Sequence, residues 1–392
     1  MKLDQLATPA LVLDRRRLLR NTRAMSERAR QAGIDLRPHL KTAKSARVAE
    51  LATQGHPGGI TVSTLAEAEY FVAHGVVDIT YAVCMVPDKL ERAAELAARG
   101  ARLNLLTDDA AVARALADRA AAFGVRFNVL IEIDSGEHRT GVAWDSDHLL
   151  AIAHALDQSS HLELAGVLTH AGQSYDCKSV AEIARVADVE RRAVVDAAAR
   201  LREAGFSCAT ISAGSTPTAV HAESFAGLTE IRPGVYTFFD LAQAARQCCT
   251  PDDIAISVLA TVISHQPEHG RLIIDAGGLA LSKDTSAAAL LPDTGYGWIC
   301  ELDTCQRIGD LHVAVADQEH GYVTGRNIPY AQLPIGSRVR VLPNHACMTA
   351  ASYDRYAVID SAEDPLEIVE WWDRVNGWLS ASAKGSPPGT AA

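Results

Sequence analysis

Arg37-Pro38-His39-Leu40-Lys41-Thr42-Ala43-Lys44 is the stretch on which the reading of this chain turns. It follows an apolar run and precedes a helical pattern, so it caps a strand and sets a lysine at the strand's C-terminal end. Alternation along a strand puts Arg37, His39 and Lys41 on one face. A lysine aimed into a barrel mouth is costly unless it is paired, neutralised or used covalently. The covalent use is a Schiff base with an aldehyde cofactor. By itself the octamer also fits a basic surface loop, so the rest of the chain has to decide.

Working outward, short apolar runs alternate with Ala/Leu/Glu/Arg-rich stretches from about residue 15 to about 245. Strands are expected near 34–38, 59–63, 79–84, 103–107, 127–133, 163–169, 208–213 and 229–232. Helical patterns lie between them, such as 87–99, where Leu90, Ala94 and Ala97 form a stripe, and 180–204, ended by Gly205. Eight strands, each followed by a helix, are the count that closes a parallel barrel, although a doubly wound open sheet fits the same alternation. After about residue 250 the rhythm changes. Strands are expected at 254–262, 271–275, 311–316 and 337–342, with a helix only at 365–379. The strand-like opening 8–13 lies outside the barrel count and is assigned to the second domain. The expected fold class is thus α/β: a (β/α)8 TIM barrel over 14–250 and a mostly β C-terminal domain made of 1–13 plus 251–380. Residues 381–392, with their glycines and prolines, read as a disordered tail.

Bulk composition narrows the partners. The 392 residues are 48% hydrophobic and 22% charged, and 37 basic against 48 acidic residues give a net charge of −11. That balance argues against nucleic acid or an anionic membrane as the main partner. The 8 cysteines form no disulfide framework, no signal-peptide pattern opens the chain, and no apolar run reaches membrane-spanning length. A cytoplasmic location with reduced thiols is the expectation.

The unusual polar residues fall where such barrels carry their chemistry, at the C-terminal strand ends. Lys41 follows strand one; Asp134 and His138-Arg139-Thr140-Gly141 follow strand five. His170, Gly172, Ser174 and Tyr175 follow strand six. Gly214-Ser215-Thr216 follow strand seven, and Arg232-Pro233-Gly234 follow strand eight. Packing alone gives no reason to gather them at one end. Thr216 suits an N-cap and Pro217 the first helical position, which would leave backbone N–H groups to hold a phosphate, with Gly234 admitting another. A phosphate site beside an aldehyde-binding lysine suggests pyridoxal 5′-phosphate (PLP). His170 suits either a flat ligand or a hydrogen-bonded core position. Arg139 and Arg232 suit a cofactor oxygen, a ring nitrogen or a substrate carboxylate.

In the second domain, Val341-Leu342-Pro343-Asn344-His345-Ala346-Cys347 runs out of a strand. In extended chain His345 and Cys347 share a face, and imidazole plus thiolate suits zinc. Two protein ligands leave positions for water or substrate, as in catalytic rather than structural sites. A buried cysteine beside an unrelated histidine is the alternative. Gln318-Glu319-His320-Gly321 is either support for the metal or a turn.

Five segments in this order, Arg37-Pro38-His39-Leu40-Lys41-Thr42, Leu168-Thr169-His170-Ala171-Gly172, Gly214-Ser215-Thr216-Pro217-Thr218, Arg232-Pro233-Gly234-Val235-Tyr236 and Pro343-Asn344-His345-Ala346-Cys347, resemble the D-serine dehydratase-like branch of the alanine racemase-like PLP enzymes. The resemblance runs from about Thr8 to Tyr353. It implies Lys41 as the Schiff-base lysine, with Lys44 as the local competitor. It implies His170 against the pyridine ring, Arg139 near the phenolic oxygen and Arg232 near the ring nitrogen. Gly214, Ser215, Thr216 and Gly234 would hold the phosphate, and Tyr175 and Tyr236 would complete the cofactor pocket. His345 and Cys347 would ligate a divalent metal, zinc by preference. It further implies a homodimer with the active site at the subunit interface. The implied reaction is dehydration of a 3-hydroxy D-amino acid, such as D-serine or D-threo-3-hydroxyaspartate, to a 2-oxo acid and ammonia. Retro-aldol cleavage of the D-threonine aldolase type and racemisation are the alternatives within the family. A cofactor-carrying module without catalysis is the alternative outside it, but such modules are single barrels. A substrate β-carboxylate would need an extra cation or hydrogen-bond donors near the metal, with Arg326 and Arg139 as the candidates.

Overall fold

The computed structural model describes residues 1–378, so the tail expected at 381–392 lies outside the described residues. The chain separates into two compact units. One comprises Arg28–Asp176, Ile183–Pro233 and the described chain from Val375; the other comprises Met1–Glu27, Cys177–Glu182 and Gly234–Arg374.

The first strand of the chain, β1 (Ala10–Asp14), precedes the helix Arg15–Gln31 and the eight strands of the barrel. These are β2 (Asp35–Leu36), β3 (Ile60–Val62), β4 (Asp78–Cys84), β5 (Arg102–Thr107), β6 (Phe127–Glu132), β7 (Leu162–Leu168), β8 (Thr210–Ala213) and β9 (Glu230–Ile231). Every neighbouring pair is parallel, in the order β2-β9-β8-β7-β6-β5-β4-β3. The segment after β2 closes the ring. Thr61 N–H donates to Pro38 O at 2.9 Å, and Leu40 N–H donates to Thr61 O at 2.8 Å, so His39 bridges β3 in parallel register. The sheet is therefore a closed barrel rather than an open doubly wound sheet.

Parallel strands covered by crossover helices need apolar residues on both faces, and β6 meets that need with Val129, Leu130 and Ile131 all buried. The helix Leu90–Ala98 returns from β4 with Leu90, Ala93, Ala94 and Leu96 inward. Asp109 starts the next helix, Ala110–Phe123, by accepting from Ala111 and Val112 N–H. Among the described residues no helix is long and apolar enough to cross a membrane.

The second unit is built on a mostly antiparallel sheet, in which only β1 runs parallel to a neighbour, the later strand at Arg355–Ile359. Its later strands are β10 (Ile256–Gln266), β11 (Arg271–Ile274), β12 (Gly297–Cys300), β13 (Arg307–Ala316), β14 (Gly321–Thr324), β15 (Arg338–Pro343), β16 (Arg355–Ile359) and β17 (Ile368–Asp373). The order is β11-β14-β13-β12-β15-β10-β1-β16-β17, and an added pairing of β11 with β10 closes part of it into a ring. The stretch 365–379, expected as a helix, contains β17 instead. Its Ile368, Val369, Trp371 and Trp372 are β-branched or aromatic, and Trp372 sits opposite the buried Tyr356 of β16. Cross-strand packing thus overrides the loose helical spacing.

Candidate active site

The octamer of the opening reading divides in two. Arg37 is a scaffold residue: its guanidinium meets Glu230 through Nε and Asp78 through Nη1, both at 2.7 Å. Alternation ends at Leu40, where the chain turns and Lys44 N–H donates back to Leu40 O at 2.7 Å. Lys41 therefore projects from a turn, not from the strand. It is exposed, and its ammonium makes no ion pair or hydrogen bond among the described residues.

Charge marks what surrounds it. Burial, then the positive charges of Lys41 and Arg232, hold the His39 imidazole well below its ordinary value. Burial, Lys41, Arg139 and Arg232 do the same to His170. Both rings are thus neutral near pH 7, and Lys41, Arg139, His170 and Arg232 share one neighbourhood at the C-terminal strand ends. Arg139 itself is exposed and pairs with Glu137 at 3.2 Å.

Arg232 is 4% exposed. One nitrogen donates to Ser212 Oγ at 2.7 Å and another to Thr169 O, but Nε has no partner among the described residues. Burial lowers its pKa while Glu230, Glu190 and Glu132 support its charge. A buried donor without an acceptor is expensive. A cofactor that brings a ring acceptor would relieve it, so the residue set fits PLP.

The loops after β7 and β8 are tied to each other. Ser174, in the turn Gly172–Tyr175, places Oγ 2.9 Å from Ser215 Oγ, and Tyr175 is half-buried at the end of that turn. Ser215, rather than Thr216, caps the helix Thr216–His221: its backbone is extended, and its hydroxyl accepts from Thr218 N–H at 3.2 Å. Thr218 Oγ1 in turn accepts from Ser215 N–H at 2.8 Å. This reciprocal box engages amides expected to point at a phosphate. Thr216 is buried at the first helical position, with Pro217 at the second. Gly214, at φ +107°, directs its N–H to Glu190 Oε1 at 3.1 Å, and Ala171 N–H reaches the same oxygen at 2.9 Å. Glu190 is 2% exposed, and burial pushes its carboxyl up against these hydrogen bonds. It escaped the sequence reading because it lies mid-helix in Val180–Glu203, where a glutamate signals nothing by itself. Gly234 and Tyr236 fall in the other unit. Gly234 precedes the turn Val235–Thr237, and Tyr236 is fully buried, with its hydroxyl pushed up by burial.

At the ends of β4, β5 and β6, Cys84, Asp108 and Glu132 form a cluster of metal-type side chains. The Cys84 thiol donates to Glu132 at 3.1 Å, and burial followed by the carboxylate charge raises its pKa strongly. A protonated thiol that donates to a carboxylate accounts for the cluster without an ion.

His345 and Cys347 meet in the second unit, though not as extended neighbours. His345 is extended and Cys347 lies in the short helix Ala346–Ala350. Burial opposes charge on His345, but hydrogen bonds to Asp284 and Cys347 raise its pKa to about 11. Asp284 Oδ2 lies 2.7 Å from His345 Nδ1, which leaves Nε2 as the nitrogen that could bind an ion. Asn344, fully buried, accepts from Ala287 N–H at 3.0 Å and donates to Gly295 O at 2.9 Å, fixing the loop that carries Asp284. Asp240 accepts from Ala346 N–H at 2.8 Å. The donors therefore suit a divalent ion held by nitrogen and sulfur. Neither Asp284 nor Asp240 carried a spacing signal. Gln318-Glu319-His320 is the exposed turn between β13 and β14, closed by Asp317 N–H to His320 O at 2.9 Å. Arg326 is exposed and held by Asp310 at 2.7 Å.

Comparison with known proteins finds relatives along nearly the whole chain. The family model for the alanine racemase N-terminal domain matches residues 13–242, and one for a serine dehydratase domain matches residues 255–359. The D-threo-3-hydroxyaspartate dehydratase of Delftia sp. (strain HT23) is 44% identical over 95% of this chain and 98% of its own. The D-serine dehydratase of Dictyostelium discoideum is 32% identical over 92% of this chain and 95% of its own. The solved structure of the Delftia enzyme matches with a TM-score of 0.92 and 42% identity, over 96% of this chain and 100% of that one. A cysteine-to-alanine variant of that enzyme, described as metal-free, matches equally well with a TM-score of 0.92, 42% identity and coverage of 96% and 100%. The chain belongs to the alanine racemase-like family, in the branch that joins the barrel to a serine dehydratase domain.

Proposed function

We propose that this protein is a PLP- and divalent-metal-dependent dehydratase of 3-hydroxy D-amino acids, such as D-threo-3-hydroxyaspartate or D-serine, yielding a 2-oxo acid and ammonia. The observation that carries the reading is Lys41: an exposed ammonium with no ion pair among the described residues, beside two neutral imidazoles and a buried guanidinium whose Nε has no acceptor among them. Lys41, Arg139, His170, Tyr175, Gly214, Ser215, Thr216, Arg232, Gly234 and Tyr236 would hold PLP, and His345 with Cys347 would hold the metal, zinc by preference. When bound, PLP supplies an electron sink for a Cα carbanion and the metal a Lewis acid for the β-hydroxyl.

The chain's own groups do the rest. Lys41 Nζ takes the Cα proton. Neutral His39 and His170 add no positive charge that would compete for the substrate carboxylate. Arg232 Nε would donate to a ring acceptor of the bound cofactor, and Asp284, 2.7 Å from Nδ1, would hold the His345 ring in the tautomer that ligates through Nε2. Hydroxide is a poor leaving group, which gives the metal pair its purpose. The reading includes a cytoplasmic homodimer with the active site at the subunit interface.

The test is chemical. Borohydride reduction of the holoprotein, followed by peptide mapping, should place the cofactor on Lys41. Chelation or Cys347→Ala should abolish release of 2-oxo acid and leave the cofactor absorbance in place. Turnover that survives both treatments would end the metal-assisted reading.

A further inference from the structure

We propose that Lys44 is a positioning residue, through which the segment from Val375 to Trp378 holds the turn that carries Lys41. The proposal rests on the reading of Lys41 as the cofactor lysine.

Lys44 ends that turn at φ +47°, a left-handed conformation that a lysine adopts only when its surroundings impose it. The surroundings here are specific. The Lys44 carbonyl accepts from Val375 N–H at 2.9 Å. Its Nζ donates to Asn376 O at 2.7 Å, lies 3.3 Å from Glu67 Oε1, and sits over the Trp378 ring, 5.6 Å from the centroid. The side chain is 12% exposed and that of Glu67 only 1%. Lys41, by contrast, is exposed and has no ion-pair partner among the described residues. The two lysines of the octamer thus have opposite environments: one is committed on three sides, the other is available.

A second set of bonds secures the same segment. Thr64 Oγ1 donates to Gly377 O, while Glu67 Oε2 accepts from Ser63 N–H at 2.8 Å. Ser63 Oγ lies 3.5 Å from His39 Nε2, so the linkage reaches the imidazole beside Lys41. Gly377 has φ +93°, and a Cβ there would stand 2.6 Å from Lys44 Nζ and 3.0 Å from Glu67 Oε1. The position admits glycine and little else. Thr64 also caps the helix Leu65–Ala73 by accepting from Glu67 N–H at 3.0 Å. Helix capping alone, however, requires neither the carbonyls of Asn376 and Gly377 nor the ammonium of Lys44. Buried Glu67 and half-buried Lys44 are costly unless each keeps the other, so loss of either should loosen both loops.

The experiment uses full-length holoprotein carrying Lys44→Met, Gly377→Ala or Lys44→Arg. Three readouts are taken: the residue that carries the borohydride-trapped cofactor, the rate of cofactor release, and the pH midpoint of the cofactor absorbance. Lys44→Met and Gly377→Ala should retain the adduct on Lys41, shift the pH midpoint, and release cofactor about tenfold faster, the size expected on loss of a hydrogen bond to a charged group. Lys44→Arg, which keeps the charge, should restore most of the wild-type release rate. Wild-type release rates and midpoints in both Lys44→Met and Gly377→Ala overturn the proposal, while an adduct on Lys41 leaves the reading of the cofactor lysine intact. A wild-type adduct on Lys44, or none at all, overturns both.

Discussion

Arg232 concentrates the physics of the barrel mouth in one side chain. A buried guanidinium persists because Ser212 and Thr169 take two of its donors and nearby carboxylates support its charge, yet Nε has no acceptor among the described residues. Lysine keeps the charge but not the planar fork, so Arg232→Lys should weaken cofactor binding about tenfold to a hundredfold, the worth of a hydrogen bond to a charged group. Equilibrium dialysis checks this, and unchanged affinity would show that Nε serves no ligand. His39 and His170 yield a second expectation. Both are held well below 6.5 in the fold, whereas in the unfolded chain they take up protons below about 6.5. The unfolded state then binds more protons, so stability falls as pH drops from about 7 to about 5. His170→Asn removes one of these groups and should give a shallower slope in urea unfolding followed across that range; an unaltered slope contradicts the assignment. At this scale the sequence singled out Lys41 but could not separate it from Lys44. Their difference lies in Glu67, Asn376 and Trp378, partners far along the chain that no local spacing reveals.

Elements, rather than single residues, bring the proposed metal ligands His345 and Cys347 together. Strand β15 ends at Pro343, His345 is still extended, and the helix that follows turns Cys347 back towards the imidazole. The loop anchored by Asn344 supplies Asp284. Asp284→Asn should lower metal affinity about tenfold to a hundredfold, the usual effect of removing a carboxylate that orients a ligating histidine. Titration with cobalt(II), followed by its absorbance, reads this without recourse to activity; wild-type affinity would remove Asp284 from the site. The His-x-Cys spacing was visible in sequence, although the strand geometry assumed for it was not what unites the pair. The same distinction explains the stretch 365–379, where Ile368, Trp371 and Trp372 follow strand pairing with β16. It also explains the cap of the helix Thr216–His221, where the hydroxyl of Ser215 rather than that of Thr216 meets the Thr218 amide.

For the molecule as a whole, the alternation of apolar runs and helical stretches made the eight barrel strands legible, because buried parallel strands must be apolar on both faces. Closure of the ring was expected from the count of eight strands, but alternation alone also fits an open sheet, and what separates the two is Pro38, Leu40 and Thr61 meeting across the sheet. Likewise β12, β14 and β16 take their strand form from pairing with neighbours across the sheet rather than from a local alternation that sets them apart. The fold supplies a lysine, a buried arginine whose Nε has no acceptor among the described residues, and a nitrogen–sulfur pair, a set suited to elimination of water from a 3-hydroxy D-amino acid. Aldol cleavage would draw on the same groups, so the products separate the two. The decisive measurement is therefore the product of D-threo-3-hydroxyaspartate, assayed with and without EDTA. Oxaloacetate and ammonia in equal amounts, lost on chelation, are the expected result; glycine and glyoxylate, or turnover indifferent to EDTA, would contradict it.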